Sequence, residues 1–239
     1  QWSVHRGYLL GVLYQAVVDR LGASRTHHPR RITPADLASI DADVVVACDG
    51  IHSELRRLVA PDEGGPLWNG ITLWRGVSVA DPILDGRRMV MAGRFSRRVV
   101  IYPILDLPDG RQLINWVAED TTGEGKPMPR QDWSVQSDLS EPLSVFGDYV
   151  FDWLDVPALL SAGGEVLAYP MCDRNPLTTW RHGNLTLLGD AAHPMYPVGS
   201  NGASQAILDA RTLAHSLATA DRKSTRLNSI HIPLSRMPS

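Results

Sequence analysis

The chain has 239 residues, 44% of them apolar and 21% charged, with a formal net charge of −3. This composition excludes a disordered or collagen-like polypeptide, and only two cysteines, Cys48 and Cys172, exclude a disulfide scaffold. Mixed charges offer no basic field to nucleic acid and no apolar run reaches the roughly 18 residues of a membrane span, so the cytosol is the expected compartment.

The first residue is Gln, and a helix is predicted over residues 3–21, with Leu9, Leu13, Ala16 and Val17 on one stripe and Gly22 as its stop. A helix so near the start reads as a cut through a longer chain. Residues 23–40 are polar, contain proline and lack a period, which predicts a loop. The unbroken run DVVVAC, residues 43–48, predicts a strand buried on both faces, as in parallel sheets. Residues 71–118 hold several short runs rich in Val, Ile, Trp and Tyr, separated by turn clusters at 84–86 and 108–110, which predicts an antiparallel sheet. A loop with Gly123, Gly125, Pro127 and Pro129 leads to helices expected at 139–151 and 157–162 and a strand at 166–170. A second buried strand, 185–188, opens onto Gly189-Asp190 and a loop with Pro194, Pro197, Gly199 and Gly202. The long helix that follows carries Ala203, Ala206, Ile207, Ala210, Leu213, Ala214 and Leu217 on one face. The layout is an α/β domain interrupted by an α+β insert.

Residues 221–239 have no period and hold four basic residues and one acidic. Their back-translation resembles a common short-read sequencing adapter from Asp221 to His231 and again from Ser235 to Ser239, with Ile230 the one mismatch, so this tail is expected to be non-native. Without it the chain carries 19 basic and 25 acidic residues, or −6.

Two motifs carry the chemistry. DGIHSELRR, residues 49–57, follows the first buried strand, at the edge where open α/β sheets bind ligands. Asp-Gly in that position is as often a plain turn. GDAAHPMYPVGSNGASQAILDA, residues 189–210, sets Asp190 at a strand end and feeds a Pro/Gly loop into a helix N-terminus. There a carboxylate accepts from hydroxyls and the helix favours negative charge on its neighbour. His193 reads as a hydrogen-bonding loop histidine rather than a proton shuttle, His27-His28 lack the spacing of a metal site, and Cys48 reads as a small buried apolar residue.

The ordered pair of motifs around a β-rich insert resembles the FAD-dependent aromatic monooxygenases of the p-hydroxybenzoate hydroxylase fold. WSVHRGYLL, GITLWRGV, LINWVAE and YPMCDRNPL are most similar to the phenazine-carboxylate hydroxylase branch. The resemblance implies a Rossmann-like FAD domain, residues 1–66 and 184–220, interrupted by a β-rich substrate domain, residues 67–183. It implies FAD reduced by NADH or NADPH, O2, and hydroxylation of a small aromatic substrate through a flavin C4a-hydroperoxide, with a homodimer as one open assembly.

Carried over by residue, Arg6 touches FAD, Asp49, Gly50 and Arg56 serve its pyrophosphate side, and Asp190 holds the ribityl chain. Gly189, Pro197, Gly199, Asn201, Gly202 and Ala203 lie beside the isoalloxazine ring. The family's opening Gly-x-Gly-x-x-Gly unit does not occur here, and residues 24–40 lack the expected β-meander, so the first βαβ unit is missing. Trp74, Tyr102, Trp116, Tyr169 and Met171 are the expected substrate-pocket residues. Period 2 puts Trp74 and Arg75 on opposite faces of a regular strand. Another flavin oxidoreductase of this fold, a reductase or halogenase, and an inactive fragment that cannot hold FAD are the alternatives.

Overall fold

A computed structural model of the chain describes residues 3–27, 30–121, 128 and 135–219. The expected non-native tail and nearly all of the Gly/Pro loop before residue 135 lie outside the described residues. The chain divides into two compact units, Gln1–Pro29 with Trp68–Met171, and Arg30–Leu67 with Cys172–Ser239. No helix among the described residues is long and apolar enough to cross a membrane.

In the first unit α1, Arg6–Leu21, ends on Gly22, whose N–H donates to the Val18 carbonyl. Its amphipathic stripe meets no core: none of its residues is buried, and Leu13 is 55% exposed. With β1 assigned to Val45–Ala47 and α2 to Arg56–Val59 in the second unit, the next strands are β2 (Leu67–Ala80), β3 (Val90–Arg94), β4 (Arg97–Asp106), β5 (Gln112–Asp120) and β6 (Gln136–Ser137). After α3 (Ser140–Phe146) come the short pair β7 (Val150–Phe151) and β8 (Leu154–Asp155), then α4 (Val156–Ser161) and β9 (Val166–Asp173). They build a six-stranded sheet in the order β3-β4-β5-β2-β9-β6. The helix expected to reach residue 151 is shorter, because α3 gives way at Gly147 to the β7–β8 hairpin.

Period 2 divides the side chains of this sheet between two faces, and α3 and α4 close one of them. Trp74, Val99, Ile101, Ile114, Trp116 and Ala118 point to one side and pack with Phe146 of α3 and Val156, Leu159 and Leu160 of α4. Burying such a side chain stabilises by about 1.5–3 kcal/mol. The Trp116 indole donates to Ser78 Oγ at 3.0 Å, and Ser78 donates to the Leu159 carbonyl. Gly76 makes room for the ring: a Cβ there would lie 2.2 Å from Trp116.

The second unit holds a three-stranded sheet in the order β1-β11-β10, with β10 at Arg181–His182 and β11 at Leu185–Leu187. β1 and β11 run parallel, in register from Val45↔Leu185 to Ala47↔Leu187, and β10 is antiparallel to β11. The parallel pair agrees with the sequence pattern, but burial of β1 on both faces does not. β1 is an edge strand among the described residues, and Val46 is 39% exposed.

Residues 30–40 are not wholly loop either. A 3₁₀ helix covers Pro34–Ser39, with Thr33 and Asp36 forming a reciprocal capping box.

The last helix, α5, spans Gly202–Thr219. Its buried residues are Asp209 and Leu213, whereas Ile207 is 65% and Leu217 39% exposed. The packed stripe is thus rotated away from the apolar one, because Asp209 is drawn inward.

Candidate functional site

Asp49 and Asp190 leave the carboxyl ends of two adjacent parallel strands. β1 and β11 are in register at Ala47↔Leu187, and the Leu188 N–H extends the pairing to the Ala47 carbonyl at 2.9 Å. Both carboxylates are exposed, and neither has a hydrogen bond or ion pair with a described residue. Gly50 follows Asp49 at φ +83°, with nothing within 4 Å of where a Cβ would stand. A groove of about 510 Å³ runs beside them along β1, lined among others by Arg30, Ile32, Val46, Cys48, Asp49 and His52. Cys48 is therefore an exposed thiol rather than a buried apolar residue. Burial and the nearby charge of Arg174 push the His52 imidazole below its usual pKa.

The loop that carries Asp190 is held from three sides. Arg56, 1% exposed, forms a bidentate pair with Glu63 at 2.6 and 2.7 Å, while Nη1 donates to the Ala191 and Ala192 carbonyls at 2.9 and 2.7 Å and Nη2 to the Asn175 carbonyl at 3.0 Å. Every N–H of the guanidinium is used. Arg56 has no donor left for a pyrophosphate, and its expected contact with FAD is corrected to the bracing of this loop.

On the opposite side Asp209 accepts from the Gly189 N–H at 3.2 Å and bonds His193 Nε2 at 2.5 Å. His193 is the expected loop histidine, lying 5.0 Å from the Trp180 ring. Tyr196 is hydrogen-bonded to Asp173, and its phenol is pushed up to about 12 by burial and by that carboxylate. Asp209 and Asp173 escaped the sequence reading. The signal for Asp209 was a carboxylate in the middle of an otherwise apolar helix repeat, and for Asp173 there was none.

Pro197, Gly199 and Asn201 are exposed in the remainder of the loop. The first helical bond of α5 runs from the Gln205 N–H to the Asn201 carbonyl, so the N–H groups of Gly202, Ala203 and Ser204 precede the ladder. Two hydroxyl acceptors, an open approach at Gly50 and a helix N-terminus suit the polyol and the electron-rich ring of a flavin. The residues present therefore fit that part of FAD. Arg6 is exposed in the first turn of α1, and belongs to the other compact unit.

The expected substrate residues separate by face. Trp74 and Trp116 are 4% and 0% exposed in the core under α3 and α4, so their assignment to a pocket is corrected. Met171 is also buried, with its sulfur 3.3 Å from Asn69 Nδ2. Tyr102 lies on the other face of the sheet as the cross-strand partner of Asn115 and is half-buried, as is Tyr169 of β9.

Comparison with known proteins completes the picture. A family model for the FAD binding domain matches residues 165–231. The chain is 42% identical to phenazine 1,6-dicarboxylic acid hydroxylase PhzS of Lysobacter antibioticus, over 91% of this chain and 58% of that protein. It is 35% identical to 3-amino-4-hydroxybenzoate 2-monooxygenase PtmB3 of Streptomyces platensis, over 78% of this chain and 45% of that one. The chain thus spans about half the length of the curated relatives it matches. A solved salicylate hydroxylase substrate complex superposes with a TM-score of 0.59 at 26% identity, covering 74% of this chain and 46% of that one. By sequence and by fold, the chain is similar to about half the length of FAD-dependent aromatic hydroxylases of the p-hydroxybenzoate hydroxylase fold.

Proposed function

We propose that the chain forms the flavin-holding and substrate-facing parts of a cytosolic aromatic-ring hydroxylase that uses FAD, NADH or NADPH, and O2, acting as a single protomer or a homodimer. The observation that carries this reading is the loop Gly189–His193, braced by Arg56 and Asp209 so that Asp190 stands free beside Asp49 at the ends of two parallel strands. The 42% identity to a phenazine dicarboxylate hydroxylase favours a fused aromatic substrate of that size.

Bound flavin supplies the electron transfer and oxygen activation that no protein side chain provides. The residues of this chain do the rest. Asp190 and Asp49 accept from the hydroxyls of the cofactor's sugar-alcohol and ribose parts. The N–H groups at the start of α5 would favour negative charge on a group held against them. Arg56 and Asp209 hold the loop in the binding geometry before the cofactor arrives, which lowers the entropy lost on binding. Tyr102 and Tyr169 offer aromatic surface to a flat substrate.

Titration with FAD, followed by flavin fluorescence, tests the first half. Asp190→Ala is expected to weaken uptake about tenfold through the lost charged hydrogen bond, and Gly50→Val is expected to weaken it further by forcing a side chain into the left-handed region. Substrate-dependent NAD(P)H oxidation with a hydroxylated product tests the second. Failure of the unsubstituted chain to take up FAD would remove the reading.

A further inference from the structure

The loop that carries Asp190 also carries an imidazole backed by a buried carboxylate. Asp209 of α5 is 7% exposed, and its Oδ2 accepts from the Gly189 N–H at 3.2 Å and meets His193 Nε2 at 2.5 Å. An ionised carboxylate only accepts, so Nε2 carries the ring proton and Nδ1 is left as the basic nitrogen. Nδ1 has no hydrogen-bond partner among the described residues, and the His193 side chain is 23% exposed, open to solvent. Asp190 lies in the short 3₁₀ turn Gly189–Ala191, and the His193 N–H bonds back to the Gly189 carbonyl at 2.9 Å. The base is therefore fixed within one turn of the carboxylate that suits the cofactor's hydroxyls.

Its surroundings favour the protonated ring. Asp209 becomes an ion-pair partner once Nδ1 takes a proton, and the Trp180 ring, 5.0 Å away, presents π surface to the cation. The neighbouring Arg56 is occupied by Glu63 and by the Ala191, Ala192 and Asn175 carbonyls. Cys48 also feels the charge of Asp209: burial first, then Asp49 and Asp209, push its thiol up. His193 is the one side chain bonded to that carboxylate among the described residues.

The chemistry of ring hydroxylation calls for such a group. Ring–H, O2, NAD(P)H and one H+ give ring–OH, water and NAD(P)+, so each turnover consumes a proton. The hydride leaves the cofactor more negative, and a nearby base offsets that charge by taking up a proton. We infer that His193, with Asp209 as its positioning residue, takes a proton from solvent at Nδ1 as the cofactor is reduced and releases it in the oxygen step, where it leaves in the product water. The two electrons come from NAD(P)H, and one oxygen atom enters the ring while the other is reduced to water. One hydrogen from the ring, one from the nucleotide and one from His193 account for the hydroxyl and the water. The inference rests on the flavin reading above and adds the group that supplies the proton.

The test is the pH dependence of the midpoint potential of FAD bound to the full chain, followed by equilibrium dye reduction through the histidine range. Uptake by His193 adds one proton per two electrons and steepens the slope by about 30 mV per pH unit, the tenfold equivalent for a two-electron couple. His193→Gln, whose amide can still donate to Asp209, loses that increment. Asp209→Asn shrinks it, and Cys48→Ser keeps it. Where His193→Gln does not take up FAD, nitrogen NMR of the histidine-labelled parent reads the same event: an imidazole protonated at Nε2 in both states gains a proton at Nδ1 on reduction, and the absence of such a signal overturns the inference. Equal slopes in the parent and His193→Gln, or loss of the increment in Cys48→Ser, overturn it while the flavin reading stands. A parent chain that takes up no FAD removes the flavin reading and this inference with it.

Discussion

The two units are stabilised by different means. In the first, the six-stranded sheet closes one face against α3 and α4 with a continuous apolar core from Trp74 to Val166. In the second, the parallel strand pair seen among the described residues has a small core around Leu185, Leu187 and Ala191, and the loop over 189–193 is held by the ionic and hydrogen-bonded groups of Arg56, Glu63 and Asp209. Apolar burial tolerates small rearrangements. A fully engaged guanidinium does not, because each lost bond leaves a buried partner unpaired.

The contrast can be broken most directly at Arg56. Arg56→Met is expected to cost about 3–5 kcal/mol, since it leaves three carbonyl groups unpaired and Glu63 with Arg174 as its one remaining cation, measured as the loss in denaturant-unfolding free energy. Gly76→Ala, which drives a methyl into the Trp116 ring, is expected to cost about 1–3 kcal/mol. If it proves the costlier of the two, the second unit does not depend on its polar brace as described.

Acid sharpens the same comparison with a smaller effect. Hydrogen bonds from Arg56, with the charges of Arg56 and Arg174, hold the Glu63 carboxyl below its usual pKa. A carboxyl lowered on folding contributes its stability above the ordinary glutamate value, about 4.3, and loses it as pH falls through the lower folded value. Acid melts should therefore weaken the parent chain across that window, and Glu63→Gln should lack this part of the slope. An unchanged slope in Glu63→Gln would assign the acid sensitivity to other carboxylates.

Much of this organisation was legible in the sequence because it is periodic. The run at 43–48, the alternating strands of 71–118 and the string from Gly189 carried the parallel pair, the antiparallel sheet and the loop between strand and helix. Facing was harder to read. Alternation separates Trp74 from Arg75, but only α3 and α4 reveal which side is covered, so the tryptophans were assigned to a pocket they do not line. Arg56 posed the same difficulty in another form: a motif shows that a guanidinium is present, not that Glu63 and three carbonyls have already taken its donors. In α5 the apolar stripe and the packed stripe diverge because Asp209 makes better bonds inside than outside, and a hydrophobic repeat carries no record of that. The capping box at Thr33 and Asp36 is legible in Thr-Pro-Ala-Asp, although the polar stretch around it has no period to mark a helix.

The insert also shapes how the chain reaches its native state. The Arg56 bond to Ala191 joins residues 135 apart in sequence, and β1 must find β11 across a similar distance. Ordering so long a loop before any contact rewards it is slow. Asn69 and Met171, 102 residues apart, meet at 3.3 Å, so once the six-stranded sheet has formed the two ends of the insert are side by side. Closure of β1 on β11 then spans two short connections instead of more than a hundred free residues. The six-stranded sheet is thus the kinetic template on which β1 and β11 are brought into register.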